Sequence, residues 1–265
     1  MRKKGSPVMG MIGAGGVNRS FLARMPLVLG RMGPVKAASF RVARRIANTL
    51  RSGHAVMNYA AMAPCDLIWI AVPDSGIDRV SRELAAATPL AGKIAVLCGS
   101  TRDSFWPGPL LAGGACVATL NCVEESGERL FVAEGDPAAM RELRRVIAAE
   151  KRKMIELRAA SKALYLSGIH LATHLLLPWI AASVESLREA GLSRVEATHV
   201  ANALGSRALR AYAKAGAKAW SPAAADRLQL SIARDLDTIR GVDPKLAALY
   251  ADGVEQALRY FESRK

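Results

Sequence analysis

The segment Met11–Ser20, MIGAGGVNRS, indicates the fold of this chain. In dinucleotide-binding proteins a glycine-rich turn follows the first strand, and its backbone N–H groups approach a pyrophosphate at a helix N-terminus. Asn18 stands where the usual pattern has a third glycine, which mainly serves packing of the helix against the strand. A structural turn without a ligand is the alternative interpretation. The predicted cofactor-binding residues of this turn are Gly13, Gly15, Gly16, Val17 and Asn18.

The end of the second predicted strand, near Ser39, indicates which dinucleotide binds. An NAD enzyme normally presents Asp or Glu there to bind the ribose hydroxyls, whereas this chain reads ASFR at 38–41. A guanidinium binds phosphate through two parallel hydrogen bonds, so Ser39 and Arg41 suit a 2′-phosphate. We therefore predict NADP rather than NAD as the cofactor. Arg44 and Arg45, on the helix that follows, are open to a second interpretation as a solvated surface.

The charge of the chain is concentrated near its N-terminus. The 265 residues carry a formal net charge of +14, and the first 65 contain eleven Lys or Arg and no carboxylate before Asp66. Such a region is suited to an anionic partner: a phosphorylated cofactor, a nucleic acid or a membrane surface. Apolar residues make up 51% of the chain, which excludes a disordered protein.

Alternating strands and helices in the first half predict an α/β fold. Strands are predicted at 7–13, 35–39, 54–57, 66–72, 93–98, 115–120 and 129–133, and helices at 17–32, 41–50, 75–87 and 137–149. Strands separated by helices imply a parallel sheet with right-handed crossovers. Beyond residue 157 the pattern is helical throughout. The predicted fold is an N-terminal doubly wound parallel (Rossmann) sheet, residues 1–157, followed by an all-α C-terminal domain, residues 158–265.

Three strand ends carry polar or turn-forming residues. Ligands of doubly wound sheets bind outside the carboxyl ends of the strands, so we assign Val72 and Pro73 to the cofactor site. The segments 98–101 (CGST) and 119–122 (TLNC) end the next two strands, and we expect their polar groups to face the nicotinamide and the substrate.

Neither a metal site nor a membrane span is predicted. The four cysteines lack C-x-x-C spacing, and the pair His170 and His174 has no accompanying glutamate or third ligand. The apolar segment 163–184 has about the length of a membrane span, but it contains both histidines and Pro178. We expect a helix buried in the helical domain or between two subunits, in a cytoplasmic protein.

Five motifs together resemble a known family: IGAGGV (12–17), DLIWIAVPD (66–74), FVAEGD (131–136), SKALY (161–165) and LAALYADGVEQAL (246–258). The chain resembles the Rossmann-like proteins whose C-terminal half is domain of unknown function 2520. That group is similar to pyrroline-5-carboxylate reductase and to 6-phosphogluconate dehydrogenase-like enzymes. The resemblance implies an NAD(P)-binding domain, a helical C-terminal domain and a homodimer formed through the helical domain.

The candidate catalytic residues are Lys162, Tyr165 and His174, at the start of the helical domain. Related dehydrogenases place a Lys and an Asn on the equivalent helix, pointing at the nicotinamide. Partial desolvation would lower the pKa of such a lysine and suit it to general acid or base catalysis. His174 would donate a proton or orient the substrate. The predicted function is NADP-dependent hydride transfer to or from a small carbonyl, imine or hydroxy acid in the cleft between the domains.

Two alternatives remain open on the sequence alone. Family members often have a Ser-Leu-His-Pro-like segment where this chain has Thr119–Cys122, and many have His where this chain has Leu166. These changes allow a non-catalytic NADP-binding sensor or scaffold. The basic N-terminal region allows nucleic-acid binding, although the chain contains no recognised nucleic-acid motif.

Overall fold

A computed structural model of the chain describes residues 8–13, 22, 24–125 and 128–262. The chain divides into two compact units, Met1–Ser167 and Gly168–Lys265. The division lies later than the predicted boundary after residue 157, so Lys162 belongs to the first unit. Its side chain is buried there, with 2% of its surface exposed.

The first unit contains an eight-stranded sheet in the order β3-β2-β1-β4-β5-β6-β7-β8. The strands are β1 (Met9–Ile12), β2 (Met32–Lys36), β3 (His54–Ala55), β4 (Leu67–Ile70), β5 (Ile94–Cys98), β6 (Cys116–Glu125), β7 (Glu128–Gly135) and β8 (Lys153–Glu156). The strand order reverses between β1 and β4, and the carboxyl ends of the strands at such a switch point form the usual ligand crevice. The predicted Rossmann sheet is therefore confirmed.

The described residues form helices in both units. In the first unit they are α1 (Pro26–Leu29), α2 (Phe40–Leu50), α3 (Asp74–Ala87), α4 (Gly108–Ala112) and α5 (Pro137–Ala149), followed by α6 (Lys162–Ala172), which runs on into the second unit. The remaining helices of the second unit are α7 (Leu177–Glu189), α8 (Arg194–Ala215), α9 (Pro222–Val242) and α10 (Pro244–Glu262). Short 3₁₀ helices occur at Tyr59–Met62 and Gly216–Ala219.

Strand β4 shows why the sequence pattern predicts the centre of the sheet well. Leu67 and Trp69 belong to the apolar cluster on one face, whereas Ile68 and Ile70 belong to the cluster on the other. A strand buried on both faces reads as a continuous apolar run, which is typical of interior parallel strands.

Three details of the sheet differ from the prediction. The pair β6–β7 is antiparallel, because the sequence leaves only two residues between Glu125 and Glu128, too few for the crossover that parallel pairing requires. Strand β8 was not predicted; it is a short, mostly exposed edge strand and so lacks an apolar run. Strand β2 begins at Met32 and ends at Lys36, earlier than the predicted 35–39, and the residues assigned to its end lead into helix α2.

The apolar segment predicted as one buried helix at 163–184 is interrupted. Helix α6 ends at Ala172, and α7 begins at Leu177. Pro178 lacks the N–H that would bond to the carbonyl of His174, which ends the regular pattern. Leu171, Leu175 and Ile180 are exposed, so the segment is not buried within the chain. By length and composition alone, Lys162–Glu189 would be long and apolar enough to cross a membrane.

Candidate functional site

Gly13 directly follows β1 at the switch point of the sheet. It has φ +76°, and its N–H donates to the carbonyl of Lys36 at 2.7 Å. A Cβ atom at this position would lie 2.5 Å from the carbonyl oxygen of Ala71 and 2.7 Å from Cγ1 of Val72. Only glycine fits this left-handed conformation and this close approach. The other predicted residues of the turn, Gly15, Gly16, Val17 and Asn18, lie outside the described residues.

Val72 and Pro73 follow β4 at the same edge of the sheet. Val72 is half-buried and packs against Gly13, as the Cβ distance shows. Pro73 is exposed and precedes the first residue of α3, Asp74. The structure therefore brings Gly13 and Val72 together and places Pro73 at the start of a helix.

Ser39 and Arg41 lie at the N-terminus of α2. Ser39 is the helix N-cap, and its hydroxyl oxygen accepts a hydrogen bond from the N–H of Val42 at 3.2 Å. Arg41 is exposed and lines a groove of about 670 Å³. The other residues of this arginine groove are Phe40, Arg44, Arg45, Asn48 and Thr49. Since positions three and four apart share a helix face, three guanidinium groups of α2 point into the same region.

Asp74 joins the ends of β4 and β5. Its carboxylate accepts hydrogen bonds from the Ser100 hydroxyl at 2.8 Å, from the Thr101 N–H at 3.0 Å and from the Thr101 hydroxyl. Burial opposes ionisation of this carboxyl group, but the bonds from Thr101 and Ser100 outweigh it and lower the pKa of Asp74. The carboxylate thus orders the first half of the loop that follows β5.

Glu134 is a second carboxylate in the same region and is 2% exposed. It accepts hydrogen bonds from the N–H and the hydroxyl of Ser104, both at 2.8 Å, and from the hydroxyl of Thr119 at 3.0 Å. Glu134 is not among the predicted site residues, although a glutamate within the apolar strand FVAEG (131–135) is a detectable signal. Glu134 fixes the second half of the loop after β5.

Lys162 is the first residue of α6 and brings a positive charge to these carboxylates. Its Nζ has no hydrogen-bond partner among the described residues. Burial lowers the pKa of Lys162 to about 8, while the charges of Glu134, Asp74 and Asp103 oppose this shift. A buried polar atom without a partner requires an explanation, such as a bound ligand or water.

Two further buried polar atoms lack partners near these strand ends. The Tyr165 hydroxyl, one helical turn after Lys162, has none among the described residues, and burial raises its pKa, with a further contribution from Cys122. The amide of Asn121 donates to the carbonyl of Ser100 at 3.4 Å, which leaves its Oδ1 without a donor.

His174 lies in the second unit, beyond the end of α6. Its Nδ1 is 3.2 Å from the hydroxyl of Thr173, and its ring meets that of His170 edge-on with centroids 5.8 Å apart. Because α6 ends at Ala172, His174 is not part of the helix that carries Lys162 and Tyr165. In the parts of the chain that the structure describes, no group of three His, Cys, Asp or Glu side chains is arranged to hold a metal ion.

The fold is shared with several solved structures. Protein TM1727 from Thermotoga maritima is 16% identical, with a TM-score of 0.71 over 97% of this chain and 99% of that chain. An imine reductase variant from Myxococcus stipitatus in complex with NAD+ is 15% identical, with a TM-score of 0.71 over 97% and 95%. A reductive aminase from Aspergillus terreus in complex with NADPH and ethyl-5-oxohexanoate is 16% identical, with a TM-score of 0.69 over 97% and 95%.

Neither a protein-family model nor a curated protein sequence matches the chain. At these identities the solved structures establish the fold, namely a mostly parallel Rossmann-type sheet followed by a helical C-terminal part.

Proposed function

We propose that this chain is an NADP-dependent oxidoreductase that transfers hydride to or from a small carbonyl, imine or hydroxy acid. The observation that carries the proposal is the buried, unpartnered ammonium group of Lys162 in the sheet unit of a dinucleotide-binding fold. The imine reductase and the reductive aminase of the same fold support a carbonyl or imine substrate. The bound NADPH of the latter supports NADP as cofactor.

The described residues fit the cofactor. Gly13 leaves the space that a Cβ would fill, which suits a close approach of pyrophosphate to the backbone. The arginine groove on α2 offers guanidinium groups to a 2′-phosphate, with Arg41 and Ser39 at the helix N-terminus. When bound, NADPH would supply the hydride, and NADP+ would accept it in the reverse direction.

The proton is proposed to move through Lys162. In reduction, its ammonium group donates a proton to the carbonyl oxygen or imine nitrogen of the substrate, and in oxidation the neutral amine accepts one. A pKa of about 8 keeps both forms accessible near neutral pH. Tyr165 is proposed to donate its free hydroxyl to the same polar atom of the substrate. His174 is proposed as a second proton donor or a substrate-orienting group.

The remaining assignments are also proposals. Exposed apolar side chains of α6 and α7, among them Leu171 and Trp179, support a homodimer formed through the helical domain. A cytoplasmic location is proposed as well. A mass measurement by light scattering tests the homodimer, and a monomer at micromolar concentration contradicts it.

A fluorescence titration with NADPH and NADH tests the proposed function. We expect NADPH to bind at least about tenfold more tightly, because only NADPH carries the 2′-phosphate that the arginines recognise. Oxidation of NADPH is then followed by absorbance with a panel of small ketones, keto acids and cyclic imines. Failure of both nucleotides to bind at millimolar concentration would exclude the proposal.

The alternative of a non-catalytic NADP-binding sensor or scaffold is favoured by one observation. Thr119 and Asn121 each make a hydrogen bond within the protein, to Glu134 and Ser100, where catalytic polar groups would have been expected. The sensor predicts NADPH binding without turnover of any member of the panel, whereas the enzyme predicts both.

A further inference from the structure

Helix α2 carries three arginines on its solvent-exposed face and no acidic residue. Arg41, Arg44 and Arg45 are exposed, whereas the apolar residues of the opposite face are buried. Positions three and four apart are neighbours on a helix, and like charges at this spacing repel each other. Arg41 also lies in the first turn, where the helix dipole favours a negative charge over a positive one. This arrangement is electrostatically unfavourable unless an anion binds.

No carboxylate of the protein neutralises these three arginines. In the part of the chain that the structure describes, six arginines form an ion pair with Asp or Glu, and none of the six lies on α2. The cause is visible along the chain, since residues 1–65 contain eleven Lys or Arg and no carboxylate. Helix α8 shows the opposite pattern, with Glu196 in its first turn. The guanidinium groups of α2 are therefore available to an anionic ligand.

The arginine groove is longer than a single phosphate group. Its lining runs from Phe40 to Thr49, which is about 13 Å along a helix axis. The proposed 2′-phosphate site at Ser39 and Arg41 occupies only the N-terminal end of this length. The remainder of the groove, toward Asn48, has room for further anionic groups of the same ligand or of another one.

Phe40 adds an exposed aromatic ring to one end of the arginine groove. It is the first residue of α2, and 47% of its surface is exposed. Proteins that bind single-stranded nucleic acids combine basic side chains, which follow the phosphate backbone, with aromatic rings on which the bases stack. The bases of a duplex are stacked on each other and do not reach such a ring. The combination of Phe40 with the three arginines therefore favours a single strand over a duplex.

A membrane surface fits α2 less well than a nucleic acid does. A helix that lies in the membrane interface buries its apolar face in the lipid. The apolar face of α2, formed by Ala43, Ile46, Ala47 and Leu50, is instead buried in the core of the sheet unit. Only the polar face of α2 remains for a ligand, and a polyanion is the ligand that this face suits.

We propose that the arginine groove of α2 is a binding site for single-stranded nucleic acid. Arg41, Arg44 and Arg45 contact phosphates along the strand, and a base stacks on Phe40. Every base has a flat face that can stack, so binding depends little on the sequence of the strand. The inference goes beyond the proposed function, because this binding needs neither a dinucleotide nor turnover.

Fluorescence anisotropy of a labelled oligonucleotide tests the proposal. The full chain is titrated, without NADPH or NADH, into an oligo(dT) of about 12 nucleotides at several salt concentrations. We expect micromolar binding at low salt. A plot of the logarithm of the affinity against the logarithm of the salt concentration should have a slope of about −2 or steeper, because each of the three arginines contributes about −0.7 on a single strand.

Three variants separate the charge of the groove from its aromatic ring. The double variant Arg44→Gln, Arg45→Gln should make the slope shallower by about 1.4, because two phosphate contacts are lost. Phe40→Ala should weaken binding by at least about fivefold and leave the slope unchanged, because stacking releases no counterions. Arg145→Gln is the matched control, since Arg145 is an exposed arginine of α5 that pairs with Glu142 at 2.6 Å. It should change neither the affinity nor the slope.

The same titration with a duplex of equal length, and with vesicles containing phosphatidylserine, separates the possible ligands. We expect the single strand to bind more tightly than the duplex, and the vesicles not to bind. Absence of oligonucleotide binding overturns the proposal, as does an unchanged slope in the α2 double variant. Equal or tighter binding of the duplex, or binding of the vesicles alone, also overturns it.

The outcome is independent of the proposed function. A chain that binds oligo(dT) but neither NADPH nor NADH refutes the proposed function and supports this inference. A chain that binds NADPH but no oligo(dT) supports the proposed function and overturns this inference.

Discussion

The cofactor side and the lysine side of the first unit use charge in opposite ways. On the cofactor side, defined by Gly13, Val72, Ser39 and the arginine groove, the charged groups are exposed guanidinium groups. On the lysine side, defined by Lys162, Glu134, Asp74 and Asp103, the central charge is buried and titratable. Anion binding needs accessible permanent charge, whereas proton transfer needs a group that can lose its charge near neutral pH.

The largest expected effect comes from removing the buried amine. Lys162→Met keeps the length and apolar stem of the side chain but has no proton to give, so we expect turnover to fall by about 10²–10⁴-fold. In the wild type, the rate of reduction should decline as pH rises through about 8, because Lys162 then loses its proton. Steady-state kinetics over pH 6–10 measures both effects.

NADPH affinity is the control for this variant. If the two sides act separately, Lys162→Met binds NADPH as the wild type does. A loss of NADPH affinity as large as the loss of turnover would show that Lys162 also contributes to cofactor binding, and that the two sides do not act separately.

Gly13 offers a test of the backbone on the cofactor side. Gly13→Ala forces a side chain into a left-handed conformation and against the carbonyl of Ala71, and we expect a loss of at least about 3 kcal/mol in the free energy of unfolding. Gly92→Ala is the matched control, because Gly92 has a similar φ of +75° but no atom within 4 Å of the added Cβ. Its cost should be about 1 kcal/mol. If urea unfolding shows equal losses of free energy of unfolding for Gly13→Ala and Gly92→Ala, steric contact is excluded as the cause of the larger expected loss.

The smallest effect is expected for one arginine of the groove. Arg41→Ala should weaken NADPH binding by about tenfold or somewhat more and leave NADH binding nearly unchanged, because only the 2′-phosphate is lost as a partner. Fluorescence titration at two salt concentrations measures the change, which should shrink at high salt because exposed charges are screened. Equal weakening of both nucleotides would indicate that Arg41 contacts another part of the cofactor.

The sequence predicts the central sheet well and its edge poorly. A strand such as β4 is apolar at every position because both faces are covered, so the pattern is local and readable. Strand β8 is short and exposed, and it is recognisable only by its pairing with β7. The break before Pro178 could have been predicted from the proline itself, but the apolar composition of the segment favoured one continuous helix.

The roles of the candidate site residues stay predictions. The SKALY motif points to Lys162 and Tyr165, the glycine-rich turn to Gly13, and the strand ends to Val72 and Ser39. Glu134 and Ser104 were missed because their contact joins residues far apart in the sequence. Ser100, Thr101 and Thr119 lie in segments that were expected to face the ligand, and the structure instead shows them bound to Asp74 and Glu134.

The sequence by itself determined the alternation of strands and helices in the first half of the chain, the glycine that follows β1, and the absence of carboxylates before Asp66. These features depend on neighbouring residues and on periods of two or 3.6 residues, which are visible along the chain. Only the tertiary structure decided that Lys162 is buried and that Glu134, Asp74 and Asp103 act on it. The protonation of a side chain depends on its desolvation and on nearby charges, and both arise only when distant segments pack together.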